Sequence, residues 1–275
     1  GMVDTLSITL AQLNQSFGDS PGNARAMLAA RERARGQGAD LVVFPEMQLV
    51  GYPAEDLVLK PAFVARAAEE LEAMARVTAD GGPAMLVGSI FVQDGALHNG
   101  IALLDGGRVA AIRLKHELPN YGTFDEVRLF QPGPLPEPIG FRGVMIGLPI
   151  CEDVWHPDVC RHLADFGAEL FICVNGSPYE IDKDTLRIEG VAKRRAADTG
   201  LPLAYLNRVG GQDELVFDGA SFVVNGDGSL AVQLARRIGA GRVIGLASSP
   251  EKRETVLGLG ADAAVDSRSE NLREA

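Results

Sequence analysis

Three ionisable residues of different chemistry each stand at the end of a strand-like apolar run. Asp40-Leu41-Val42-Val43-Phe44-Pro45-Glu46 closes on a glutamate behind a proline, which removes a ladder donor and should stop the strand. Arg108 through Leu114 closes on Lys115, ahead of the turn signals Leu118-Pro119-Asn120-Tyr121-Gly122. Val144 through Ile150 closes on Cys151, followed at once by Glu152, Asp153, Val154 and Trp155. A thiol at a strand end is held by rigid backbone yet within reach of a substrate, which suits a nucleophile. A carboxylate can take its proton and later return one to a leaving group. A fixed cation favours thiolate and holds a developing oxyanion. Together they could cleave an amide through a thioester.

Such a constellation needs several strand ends brought to one place. The pattern predicts a strand over 6–13 and a helix over 21–38, with Ser20 as its cap and Pro21 at its first position. After Glu46 it predicts a helix over 61–79 and strands over 85–92 and 100–104. Asp105-Gly106-Gly107-Arg108 then reads as a hairpin turn into the strand of Lys115. Beyond Cys151 come a helix over 157–166, a strand over 170–174, a helix over 182–199 closed by Gly200, a strand over 203–207 and a hairpin around 217–229. Apolar strands with helices between them imply an α/β fold of sheets covered by helices.

The chain has 275 residues, enough for one large domain with a substantial core. Its net charge of -11, with 37 acidic against 26 basic residues, argues against nucleic acid and anionic membrane as partners. Three cysteines without paired spacing point to a reducing compartment, so a cytoplasmic enzyme is expected. Neither a membrane-spanning run nor a signal peptide is apparent, and Gly1-Met2 reads as a tag remnant. The four histidines show no metal-ligand spacing and there is no C-x-x-C, so no metal site is expected.

The chain resembles the nitrilase superfamily of carbon-nitrogen hydrolases, and within it the glutaminase domain of glutamine-dependent NAD synthetases. The segments that carry the likeness are Ala11-Gln12-Leu13-Asn14, Val43-Phe44-Pro45-Glu46, Gly51-Tyr52-Pro53-Ala54-Glu55-Asp56-Leu57, residues 118–126, Pro149-Ile150-Cys151-Glu152-Asp153, Asn175-Gly176-Ser177-Pro178-Tyr179 and residues 209–219. The resemblance implies a four-layer α-β-β-α sandwich and a catalytic triad of Glu46, Lys115 and Cys151. It also assigns Glu126 to orienting Lys115 and the substrate, and Tyr121, Glu152 and Ser177 to contacts with glutamine. The backbone N–H of Glu152 would share the oxyanion with Lys115. Glutamine would be the substrate, no cofactor would be needed, and a homo-oligomer is expected. ATP and deamido-NAD would serve only a synthetase domain, whose S-G-G-x-D-S loop does not occur in this sequence.

Residues 1–230 form the expected hydrolase domain, and 231–275 break its pattern. There the order reads helix, strand, helix, strand, resembling a fragment of the nucleotide-binding half of the medium-chain dehydrogenase and quinone reductase family. Gly226-Asp227-Gly228-Ser229-Leu230-Ala231 satisfies G-x-G-x-x-A, yet Ser248-Ser249 stand where an acidic residue should hold a ribose. The tail is too short to fold alone and is expected either to dock Arg242 to Ser248, its one strongly β-prone run, on an open sheet edge or to stay mobile while an oligomer covers that edge. No NAD binding is expected of it.

Plainer roles exist for each residue: a turn cap for Glu46, a solvated strand end for Lys115, a core thiol for Cys151 as for Cys160 and Cys173, and a structural ion pair for Glu126. The coincidence of three strand ends favours chemistry over these. Two rival readings share the residues, namely an amidase of another substrate and a catalytically silent module.

Overall fold

The computed structural model describes residues 5–52, 54–121, 124–176, 184–206, 210–212, 215–217, 222–224, 226, 230–233, 241–247, 263–266 and 273–274. In chain order the first part holds β1 (Thr5–Ala11), α1 (Ser20–Gly36), β2 (Leu41–Val43), α2 (Pro61–Val77), β3 (Ala84–Gln93), β4 (Ala96–Asp105) and β5 (Arg108–Leu114). A small ribbon of β6 (Asn120–Tyr121) and β7 (Phe124–Asp125) leads into the single turn α3 (Glu126–Leu129). Then come β8 (Ile139–Phe141), β9 (Val144–Gly147), α4 (Pro157–Asp165), β10 (Leu170–Val174), α5 (Asp184–Thr199) and β11 (Leu203–Leu206). The remaining strands are β12 (Gly210–Gln212), β13 (Leu215–Phe217), β14 (Phe222–Val224), β15 (Leu230–Gln233), β16 (Gly241–Ala247), β17 (Ala263–Asp266) and β18 (Arg273–Glu274).

Among the described residues two large sheets result, one of eight strands in the order β18-β17-β16-β1-β2-β3-β4-β5 and one of six in the order β15-β14-β11-β10-β9-β8, beside the two-stranded pairs β6-β7 and β12-β13. Side chains alternate between faces with the strand period of two. Leu6, Ile8, Leu10, Leu41 and Val43 from one sheet meet Ile146, Leu170, Ile172, Val174 and Leu206 from the other in a buried layer between them. The opposite face of the eight-stranded sheet, with Val42, Met85, Val87 and Leu104, carries Met27 and Ala30 of α1 and Leu71 and Met74 of α2. The opposite face of the six-stranded sheet, with Phe171, Cys173 and Tyr205, carries Val159 and Leu163 of α4 and Ile188 and Ala192 of α5. The fold is therefore the α-β-β-α sandwich, an α/β architecture in four layers.

Several local expectations are refined. Asp19, not Ser20, caps α1, because its carboxylate accepts the Gly22 N–H at 2.9 Å and Ser20 is already helical. Asp105 pairs with Arg108 across Gly106 and Gly107, whose φ values of 61° and 87° are what a two-residue hairpin needs. Leu230 to Gln233 is a strand rather than the start of a helix, since it closes a hairpin against β14 with Phe222 opposite Gln233. The helix expected over 252–260 lies outside the described residues. Gly241–Ala247 does dock as a strand: β16 runs antiparallel to β1 from Thr5 opposite Ala247 to Ala11 opposite Gly241.

Candidate active site

Glu46 sits three residues beyond β2, in a turn wedged between the two sheets. Its backbone N–H donates to the Asn175 carbonyl at 3.4 Å, and its own carbonyl accepts the Gln15 side-chain amide at 2.7 Å. Met47, the next residue, adopts φ 51°, a left-handed conformation costly for a side chain of that size. Two glycines make room for this turn. A Cβ on Gly88 would lie 2.4 Å from the Met47 nitrogen, and one on Gly176 would lie 2.8 Å from the Glu46 oxygen. Glu46 thus occupies a slot that only Cβ-less neighbours leave open.

Lys115 follows β5 and continues its ladder through a bond from its N–H to the Asn99 carbonyl at 2.9 Å. Its Nζ donates to Glu46 Oε2 at 2.7 Å and to Glu126 Oε1 and Oε2 at 2.9 and 3.1 Å. Glu126 opens α3 and also accepts the Tyr52 hydroxyl at 2.7 Å. The amide of Asn99 donates to Glu46 Oε2 at 3.1 Å and to Glu126 Oε2 at 3.4 Å, and the Gly176 N–H donates to Glu46 Oε1 at 3.3 Å. Glu46, Lys115 and Asn99 are fully buried and Glu126 is 3% exposed. One ammonium and two carboxylates leave this cluster with a formal charge of minus one.

Cys151 stands four residues after β9 and opens a short 3-10 turn, Cys151–Trp155. The bridge between Ile150 and Val174 carries the sheet register up to it. Its φ of 45° is again left-handed, so the thiol is presented on a strained corner. The side chain is 6% exposed at the layer between the sheets. None of the three cysteines is in a disulfide.

Burial sets the proton positions. It raises Glu46 to about 7, with Lys115 pulling the other way and Glu126 adding to the rise. Burial opposes the charge on Lys115, but Glu126 and Glu46 outweigh it and hold the ammonium well above its ordinary value. Burial, then Glu46, push the Cys151 thiol well above its ordinary value, and Lys115 recovers only part of that. The sequence-based expectation that Lys115 favours thiolate holds in sign, yet the resting sulfur is a thiol. Its proton must therefore leave as attack occurs, to a carboxylate poised near neutrality.

Sequence reasoning named Glu46, Lys115, Cys151 and Glu126, and the structure links the first two and the last by direct bonds and places their charges on the Cys151 thiol. Glu152 lies beside Cys151 in the 3-10 turn, its carboxylate 3.7 Å from His156 Nε2. Ser177 and the side chain of Tyr121 lie outside the described residues. Asn99, Tyr52 and Asp153 carry bonds within or beside the cluster that sequence reasoning assigned to no role. Tyr52 and Asp153 stood within motif segments, whereas Asn99 had no signal beyond a polar residue inside an apolar strand. Among the described residues no group of His, Cys, Asp and Glu could hold a metal ion.

The carbon-nitrogen hydrolase family model matches residues 7–239. The chain belongs to that family. A glutamine-dependent NAD(+) synthetase of Rhodobacter capsulatus is 51% identical over 233 residues, which is 85% of this chain and 42% of that protein. The chain thus spans less than half the length of the curated relatives it matches. The glutamine-dependent NAD+ synthetase of Acinetobacter baumannii, solved with ADP, superposes with a TM-score of 0.82 at 32% identity, over 92% of this chain and 46% of that one. A mutant amidase from Nesterenkonia sp. AN1 superposes with a TM-score of 0.72 at 27% identity, over 86% of this chain and 88% of that one. In that amidase the acetamide moiety of fluoroacetamide is attached covalently to the active-site cysteine. A zinc-binding dehydrogenase model also matches residues 226–275, a stretch that contains neither cysteine nor histidine.

Proposed function

We propose that this domain releases ammonia from the side-chain amide of glutamine. The observation that carries the reading is the buried Lys115 bonded to both Glu46 and Glu126, a cluster whose charges act on the Cys151 thiol. Glu46 accepts the thiol proton as sulfur attacks the amide carbon. Lys115 and the N–H of Glu152 hold the oxyanion. The tetrahedral intermediate collapses as Glu46 returns the proton to nitrogen, ammonia leaves, and a γ-glutamyl thioester remains. Water then gives its proton to Glu46, attacks the thioester, and glutamate departs with the thiol restored. Glu126 keeps Lys115 in place through both half-reactions, and Tyr121, Glu152 and Ser177 hold the glutamine. Glutamine rather than another amide is supported by the 51% likeness to a glutamine-dependent synthetase.

The reaction needs no cofactor. ATP and deamido-NAD belong to the synthetase reaction of the longer relatives, to which this domain would supply ammonia. Residues 231–275 are read as part of the same body, since their described strands extend both sheets. A cytoplasmic location fits cysteines outside disulfides, and among the described residues no helix is long and apolar enough to cross a membrane. A homo-oligomer fits the open edge that β5 leaves on the larger sheet. The test is ammonia release across a panel of glutamine, asparagine and simple aliphatic amides, with a glutamine-analogue electrophile read by mass at Cys151. Labelling and glutamine turnover support the reading. Preference for another amide selects the general amidase, and labelling of neither kind selects the silent module.

A further inference from the structure

Lys115 and Cys151 have no strand ladder in common. Lys115 ends β5 at the rim of the eight-stranded sheet, while Cys151 follows β9 in the six-stranded sheet. Their separation therefore depends on how the two sheets are tied together at this end. Glu46 bridges them through Asn175 and Gly176, and one further carboxylate ties the segments of the two residues directly. Asp153, fully buried, accepts the Ile150 N–H on Oδ2 at 3.0 Å, from the residue just before the nucleophile. Its Oδ1 accepts the N–H groups of His116 and Glu117 at 3.1 and 2.7 Å, from the two residues just after Lys115.

We infer that Asp153 is a positioning residue, which holds the oxyanion-binding ammonium of Lys115 and the sulfur of Cys151 in a single frame. This rests on the roles proposed above for Lys115 and Cys151, and its kcat readout on glutamine as the substrate. Three converging N–H donors call for an ionised acceptor. Burial raises Asp153 to about 6, against the pull of those N–H groups and Lys115, so the carboxylate is charged at neutral pH. The far end of the same turn is held separately. Arg195 of α5 donates to the carbonyls of Val154 and Trp155 at 3.0 and 3.5 Å, with Asp198 as its ion-pair partner at 2.6 Å. Arg195 therefore secures the turn to its own layer, and Asp153 secures it to the lysine.

Asp153→Asn keeps the shape but presents an amide N–H2 to at least one N–H that the carboxylate accepted. The expected result is a kcat lower by about 10²-fold, the order of loss that a misplacement of about 1 Å brings, with KM within threefold. Alkylation of Cys151 by iodoacetamide, read by mass without any amide substrate, should slow and its pH profile should move to higher pH. That follows because Lys115 is the one charge of the cluster that opposes the rise in the thiol. Arg31→Lys serves as a control: Arg31 is a buried arginine paired with Asp80 on the outer helix layer, and its loss should lower Tm without altering either readout. If Asp153→Asn does not fold, Glu117→Pro removes the shorter of the two lysine-side N–H bonds and should slow both readouts in the same direction. Wild-type kcat and alkylation in a folded variant of either kind would overturn the inference. Failure of the wild type to hydrolyse glutamine would overturn the substrate alone, since alkylation still reads the frame.

Discussion

Lys115 Nζ lies 2.7 Å from Glu46 Oε2, and neither side chain has any exposure to solvent. Such a pair is held by its hydrogen bonds more than by its charges, because taking both ions out of water costs several kcal/mol each. The bonds are present: Asn99 and Gly176 complete Glu46, and Tyr52 completes Glu126. Lys115→Met should therefore lower stability by about 3–5 kcal/mol, as removal of one partner from a buried pair does, besides abolishing turnover. Urea unfolding against the wild type measures it, and a loss below about 1 kcal/mol would show that the two carboxylates can share a proton without the ammonium.

Cys151→Ala should abolish ammonia release while leaving the fold intact. Alanine is no worse than cysteine at the positive φ of this corner, and little packing is lost. Glu46→Gln should lower kcat by about 10²–10⁴-fold, the usual contribution of a general base. Turnover near wild type in either variant would remove that residue from its role.

The pH dependences of activity and stability should run in opposite directions. Turnover needs Glu46 ionised, so kcat/KM should fall on the acid side with an apparent pKa near 7, a value owned by the Glu46, Lys115 and Glu126 cluster as a unit. For stability the folded values of Glu46 and Asp153, about 7 and about 6, lie above the ordinary 4.5 and 3.8. Their contribution is thus fully present below the ordinary values and is lost as pH rises through the folded ones. Glu46→Gln should flatten the stability change between pH 5 and pH 8, on the order of what a shift of this size links to folding. Equal slopes in the two proteins would refute the assignment.

Gly88→Ala should damage activity from outside the triad. The added methyl would sit 2.4 Å from the Met47 nitrogen, so the turn carrying Glu46 must move. Overpacking of this kind costs about 1–3 kcal/mol, and the displaced carboxylate should reduce kcat more than KM. Gly190→Ala in α5 meets nothing within 4 Å and is the matched control. Comparable kinetics in the two variants would show that the slot is wider than the glycine implies.

The strands and helices that build the layers were legible because each has a clear period and punctuation. Pro61 opens α2, Gly200 closes α5 with φ 70°, and Gly106-Gly107 turn β4 into β5. The proposed triad could be picked out because each member stands at the end of an apolar run. The clamp of Asn99 was not, since a polar residue in mid-strand shows its purpose only when two carboxylates converge on it from β2 and α3. The resting thiol was equally hidden. A lysine nearby suggests thiolate, and only the depth of burial and the two glutamates reverse that balance. Leu230 to Gln233 misled because its helical propensity was overridden by pairing with β14.

That pairing bears on the tail, which should contribute to the fold and bind no nucleotide. β16 lies between β1 and β17, pairing with β1 along all seven residues and with β17 over Ile244 to Ala247. Truncation after Leu234 would strip the edge of β1 along all seven of its paired residues and expose a row of N–H and C=O groups. The truncated chain should lose stability and self-associate, as read by thermal unfolding and sedimentation. Ile244→Pro is the milder test, because proline at a position paired with Ile8 removes a ladder donor in a central strand. It should lower Tm without changing the residues around Cys151. Neither NAD nor NADP should raise the Tm of the intact chain, because β15 to β18 extend the two sheets. An unchanged Tm and association state after truncation would show that β16 is dispensable. Stabilisation by either nucleotide would show instead that the dehydrogenase-like stretch binds one.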